Sequence, residues 1–300
     1  MPHSIVHLMI AAALALSFAS PARADTLERV DGSNITYHLL NRAAENRQGI
    51  ILMLQGSGCE PVIERDWLNS EPLLLAPGRV VLAIEKYGVP AGTSDPSSYE
   101  DNCPTAYWRG NTLHQRVLDA AQVIAHLRGE PWWNGELIIH GGSEGGAVAA
   151  MLGPLLPETR AIIIVSSGIG VTVGELVRSA VPPPVAAQIP RILSEAADNP
   201  SPDLRFGGES YKWWADAVNV LPARMLLQTN VPILLVHGSR DQFAPVATAR
   251  ATNDLLLASG ATNLTYLELE GYDHFMVDET GTNRSNDVVG RMAVWLENNR

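Results

Sequence analysis

The segment Leu137-Ile138-Ile139-His140-Gly141-Gly142-Ser143-Glu144-Gly145-Gly146-Ala147 places a serine among glycines. A strand-like apolar run precedes it and the helix-favouring residues 147–151 follow. Gly141-x-Ser143-x-Gly145 is the spacing of a sharp strand-to-helix turn that lifts a serine hydroxyl above a sheet. The reason for the glycines is steric, since side chains two residues either side of such a serine would collide. The chemistry offered is nucleophilic attack, with helix amides aimed at the oxygen of whatever is attacked. The plainer reading of Ser143 is a helix N-cap, a common role for serine.

A serine nucleophile needs a base, and the base needs an acid to orient it. After such a turn the order along the chain is serine, acid, histidine. Of eight histidines only His237 and His274 follow residue 143. His237 ends an apolar run and reads as a packed strand residue. His274, on a short loop after residues 264–269, is the expected base. Asp241, one short loop after residues 232–237, is the expected acid, ahead of Asp273 and Asp278. An oxyanion hole requires two backbone donors. The Glu144 amide is one, and Gln55-Gly56-Ser57-Gly58-Cys59 supplies the other, from Ser57 first and Gly58 second.

These residues must be carried by elements that bring them together. The runs 35–40, 50–54, 80–84, 137–140, 161–165, 232–237 and 264–269 are short, and most are apolar on both faces, as strands buried between two helical layers are. Helical spacing recurs over 113–127, 246–257 and 288–297. The alternation predicts an α/β architecture with a mostly parallel sheet. Residues 167–229 break the rhythm and contain two proline clusters. They are too long for a bare loop and read as a helical cap inserted over the site, with helices near 185–197 and 211–218. Trp213 and Trp214 in that segment, with Trp108, either line a substrate pocket or pack the cap on the sheet.

Taken together, Gln55-Gly56-Ser57-Gly58, Gly141-Gly142-Ser143-Glu144-Gly145-Gly146, His237-Gly238-Ser239-Arg240-Asp241 and Asp273-His274-Phe275 resemble the α/β-hydrolase superfamily. The doubled glycines resemble its prolyl-oligopeptidase-related branch, without a propeller domain. The resemblance covers the chain from about residue 30 onward. It implies an eight-stranded, mostly parallel sheet flanked by helices, a Ser143–Asp241–His274 triad, and acyl transfer to water with no cofactor and no metal. Gln55-Gly56 stands where the family commonly has His-Gly. The implied reaction is ester cleavage, with a peptidase or amidase as alternative and, from another class, a non-catalytic binding protein that retains the fold.

Composition narrows the partners. Of 300 residues, 46% are hydrophobic and 18% charged, which excludes a disordered or polytopic membrane chain. Residues 5–19 are apolar and Ala22-Arg23-Ala24 follows, so 1–24 read as a signal peptide and 25–300 as one exported domain, periplasmic or secreted. The apolar stretch is too short for a stable membrane anchor. Losing the leader removes one Arg and no acid, taking the formal net charge from −11 to −12. Such a chain repels polyanions, so a small ester or peptide is the expected partner and nucleic acid is not. The two cysteines, Cys59 and Cys103, form a candidate disulfide in an exported chain, with two free thiols as the alternative.

Overall fold

A computed structural model describes residues 24–43, 46–91 and 103–299. The expected leader lies outside the described residues except for Ala24. Among the described residues ten strands run in chain order: β1 (Ala24–Glu28), β2 (Asn34–Leu40), β3 (Gln48–Leu54), β4 (Val80–Ile84), β5 (Trp133–Gly142), β6 (Thr159–Val165), β7 (Arg205–Phe206), β8 (Glu209–Ser210), β9 (Ile233–Gly238) and β10 (Leu264–Leu269). Eight form one sheet in the order β1-β2-β4-β3-β5-β6-β9-β10, and β7-β8 is a separate two-residue pair. From β4 to β10 every pairing is parallel, while β2 is antiparallel to β1 and β4.

The seven expected strands all form, most lengthened by one or more residues. The first strand, β1, is new. Its residues Ala24-Asp25-Thr26-Leu27-Glu28 alternate between exposed and half-buried, so it carries none of the apolar density that marks the inner strands.

Both sheet faces are covered, as the two-sided apolar runs require. On β3 the alternation is explicit. Ile50, Leu52 and Leu54 join a core that includes the helices Leu113–Leu127 and Glu144–Leu152. Ile51 and Met53 join a second core with the helices Glu71–Leu75 and Ser285–Asn298. Between β6 and β9 stand five helices: Val173–Ser179, Pro183–Ala186, Ile189–Asp198, Tyr211–Ala217 and Ala223–Leu226. The single helix expected near 185–197 is two, broken after Ala186. Among the described residues no helix is long and apolar enough to cross a membrane.

Cys59 and Cys103 are bonded, with Cα atoms 5.6 Å apart and a sequence separation of 44. Closing a loop of that length stabilises the fold by about 4 kcal/mol on a chain-entropy argument. The bond ties the segment after β3 to the start of the helix Thr105–Gly110.

Candidate functional site

Because β3, β5, β6, β9 and β10 are parallel, their carboxyl ends open onto one rim. Ser143 follows β5 and caps the helix Glu144–Leu152 with φ 51° and ψ −123°, a left-handed backbone that is strained for a residue with a side chain. Its hydroxyl makes no cap hydrogen bond to the helix, which removes the plain N-cap reading. Its amide donates to Val165 O at 2.9 Å, and Ser167 Oγ donates to its carbonyl at 2.7 Å. The glycines answer real collisions. A Cβ on Gly145 would stand 2.1 Å from Leu54 O, and one on Gly141 would stand 2.1 Å from Gly145 O.

The loops after β9 and β10 meet each other, and His274 lines a cavity that Ser143 also lines. His274 Nδ1 lies 2.8 Å from Asp241 Oδ2, with the Asp241 side chain fully buried. The other carboxylate oxygen of Asp241 accepts the amides of Phe243 at 2.9 Å and Ala244 at 2.8 Å, so the acid is fixed before it meets the imidazole. Ser166 Oγ donates to His274 O at 2.9 Å, which ties the histidine loop to the end of β6. The competing acids are engaged locally: Asp273 accepts amides of its own loop, and Asp278 pairs with Arg284. His237 is buried, within 2.7 Å of Ala244 O and 3.3 Å of Asp241 Oδ2. Burial lowers its pKa, keeping the ring neutral, so it acts as a support beneath the acid.

The loop after β3 is held from behind by groups that the sequence reading missed. Lys86 Nζ, almost wholly buried, reaches Gly56 O at 2.6 Å, Gly58 O at 2.8 Å and Glu144 Oε1 at 3.3 Å. Arg116 donates to Gln55 O at 2.6 Å and also pairs with the Glu144 carboxylate. The carbonyls of residues 55, 56 and 58 are therefore all claimed on one side, and Gly58 turns with φ 93°. Burial works to raise the Glu144 carboxyl, and the Lys86 and Arg116 charges outweigh it and hold it below the ordinary range. Glu209 lies near the same cluster and accepts from Tyr107 Oη at 2.9 Å, and burial pushes its carboxyl up to about 8. One signal was available: Arg116 falls on the buried stripe Leu113, Val117, Ala120, Val123, Ile124 of its helix.

Ser143 lines two cavities. One, of about 190 Å³, lies toward the β6–β9 segment and is lined by Ser57, Glu144, Ile169, Val173, Trp213 and Trp214 among others. Both tryptophans are nearly fully buried and meet edge to face at 4.8 Å, so they pack the segment and wall the cavity at once. The other, of about 520 Å³, is also lined by Ser143 and includes His274, Gln55, Trp67, Glu71, His140 and Asn286. Gly58 and Trp108 line neither of these two. Trp108 is buried against the disulfide, its indole N–H donating to Cys103 O at 3.1 Å. Among the described residues no group of three His, Cys, Asp or Glu could hold a metal ion.

Burial pushes the Glu71 carboxyl up to about 7. A carboxyl whose folded value lies above its unfolded one favours the fold at acid pH, and that contribution is lost as pH rises through the folded value. Glu71→Gln is therefore expected to match the parent below the ordinary value of 4.5 and to exceed it in stability above about 7. Urea midpoints across that range check it; a difference that does not grow with pH would contradict it.

Strand order, the turn at Ser143 and the meeting of the β9 and β10 loops define the α/β-hydrolase fold. No family model matches the sequence, and a search of curated proteins finds no match. Solved structures do align over nearly the whole chain. Est1E from Butyrivibrio proteoclasticus, also solved with ferulic acid bound, matches at TM-score 0.63 and 13% identity over 93% of this chain and 99% of that one. A monoacylglycerol lipase from Paleococcus ferrophilus matches at TM-score 0.59 and 13% identity, covering 94% and 100%. Pyrococcus horikoshii acylaminoacyl peptidase matches at TM-score 0.62 and 13% identity over 94% of this chain but 42% of its own.

Proposed function

We propose that the chain is an exported serine hydrolase that cleaves carboxylic esters through an acyl-enzyme. The observation that carries this reading is the strained Ser143 on the wall of two cavities, with His274, itself paired to the buried Asp241, lining one of them. In the proposed reaction His274 takes the Ser143 proton as Oγ attacks the acyl carbon. The oxygen that becomes negative is held by the Glu144 amide and by that of Ser57, with Gly58 second. The imidazolium returns the proton to the leaving alcohol as the ester C–O bond breaks. Water, deprotonated by His274, then releases the acid and restores the Ser143 hydroxyl. Asp241 holds the ring in the tautomer this needs and stabilises its charged form. The Cys59–Cys103 bond supports export, since such bonds persist in oxidising compartments, and the residue 1–24 leader belongs to the same proposal. So does the role of residues 167–229 as a cap, which rests on Trp213 and Trp214 walling a cavity that reaches Ser143.

A fluorophosphonate probe is expected to label the protein at Ser143 and nowhere else, read by mass spectrometry of the digested chain. A folded protein that stays unlabelled would sink the assignment and leave a binding protein as the reading. Rates on an ester and an amide of one acyl group then divide esterase from amidase, with the ester expected to be faster.

A further inference from the structure

The two cavities at Ser143 differ in what they ask of a ligand. Glu144 and Ser57, whose amides face the substrate oxygen in the proposed reaction, line the cavity toward Trp213 and Trp214, and His274 does not. His274 lines the other, where Glu144 and Ser57 are absent. The leaving oxygen must meet the imidazole that protonates it. The acyl group is thus directed to the first cavity and the alcohol to the second.

Polar side chains without a protein partner line the second cavity, among them His140, Glu71 and the buried Gln55 Nε2. His140, on β5, is 7% exposed and shares its face with Ile138, toward the helix Ser285–Asn298. Its ring makes no hydrogen bond or ion pair among the described residues, and neither does the carboxyl of Glu71 at the start of the helix Glu71–Leu75. Neither group is sealed from solvent, so a ligand that fills this cavity displaces their water and must supply the hydrogen bonds both would otherwise lose. Burial keeps the His140 ring neutral, with one donor and one acceptor, and favours the protonated Glu71 carboxyl. A hydroxyl group both donates and accepts and satisfies either. An alkyl chain would leave both unpaired. Trp67 gives the same cavity a flat apolar face, and Asn286 and Ser285 add an amide and a hydroxyl.

We propose that this cavity is the alcohol subsite, and that the alcohol is a polyol whose further hydroxyls bond to His140 and Glu71. The inference rests on the esterase reading and names its substrate class: esters of an apolar acid with a polyhydroxylated alcohol. His140 and Glu71 are then specificity residues for the leaving group.

The test compares kcat/KM for glyceryl monobutyrate and n-propyl butyrate, which share an acyl group and differ by two hydroxyls. Active sites in each preparation are titrated with fluorophosphonate, so misfolded protein is discounted. The parent is expected to prefer the glyceryl ester about tenfold or more, as a site built to bond hydroxyls does. His140→Phe and Glu71→Leu are each expected to bring the ratio close to one, and Glu71→Gln, which keeps an acceptor and a donor, to retain most of it. A parent ratio near one, or a ratio that survives both apolar substitutions, would overturn the inference while leaving the esterase reading intact. Failure to hydrolyse either ester, with no fluorophosphonate labelling, would overturn both.

Discussion

Ser143→Ala is expected to lower kcat on a p-nitrophenyl ester by about 10⁶-fold without changing the fold, and His274→Ala is expected to do the same. The double variant should lose no more than either single one. The reason is that attack and proton transfer are one event: a hydroxyl with no base and a base with no hydroxyl are equally idle, so the second deletion removes nothing. Asp241→Asn should cost less, on the order of 10⁴-fold, because the imidazole remains but its Nδ1 loses the acceptor that fixes its tautomer. In this chain that acceptor is 2.8 Å from Nδ1 and held on its other oxygen by two amides, so little else could take its place. The measurements are kcat for the four variants and a thermal midpoint for each. Losses that multiply in the double variant would show that Ser143 and His274 do not act as a unit.

The second large effect is expected far from the reacting atoms. Lys86→Met removes the group that holds Gly56 O, Gly58 O and the Glu144 carboxylate together. Without it the loop bearing the Ser57 amide is free to drift, and a donor displaced from a developing oxyanion costs about 10²-fold in kcat. KM should move far less, since that oxygen becomes negative only in the transition state. Stability should fall by roughly 3 kcal/mol, the scale for breaking a buried ionic contact and leaving its partners behind. Glu144 keeps Arg116, which is why the loss is not larger. Steady-state kinetics with a urea titration separate the two effects. An unchanged kcat in a destabilised protein would mean that Lys86 only holds the fold.

The sheet could be read from the chain because its inner strands are apolar on both faces, a pattern that helices and half-exposed strands do not share. Edge strand β1 lacks that pattern and escaped. Ser143 could be read because the collisions at Gly141 and Gly145 are local, within a few residues of one turn or against the neighbouring strand end. Counting the histidines beyond that turn makes His274 the expected base, and its place after a buried strand makes Asp241 the expected acid; the two side chains meet at 2.8 Å. What no count could reach was the ionic cluster of Lys86, Arg116, Glu144 and Glu209. Apart from Arg116 on its apolar stripe, each looks like a surface charge in the linear chain, and only packing shows that all four side chains are buried and close enough to affect one another.

The same division explains the cavities. Sequence alone determined which residue types stand at the carboxyl ends of which strands, because hydrophobic period and turn chemistry act over short stretches. Tertiary structure alone decided that Trp108 packs on a disulfide while Trp213 and Trp214 wall a cavity, and that His140 and Glu71, 69 residues apart, share another without partners. Burial and contact between distant segments depend on how elements pack against one another, and no local pattern carries that information.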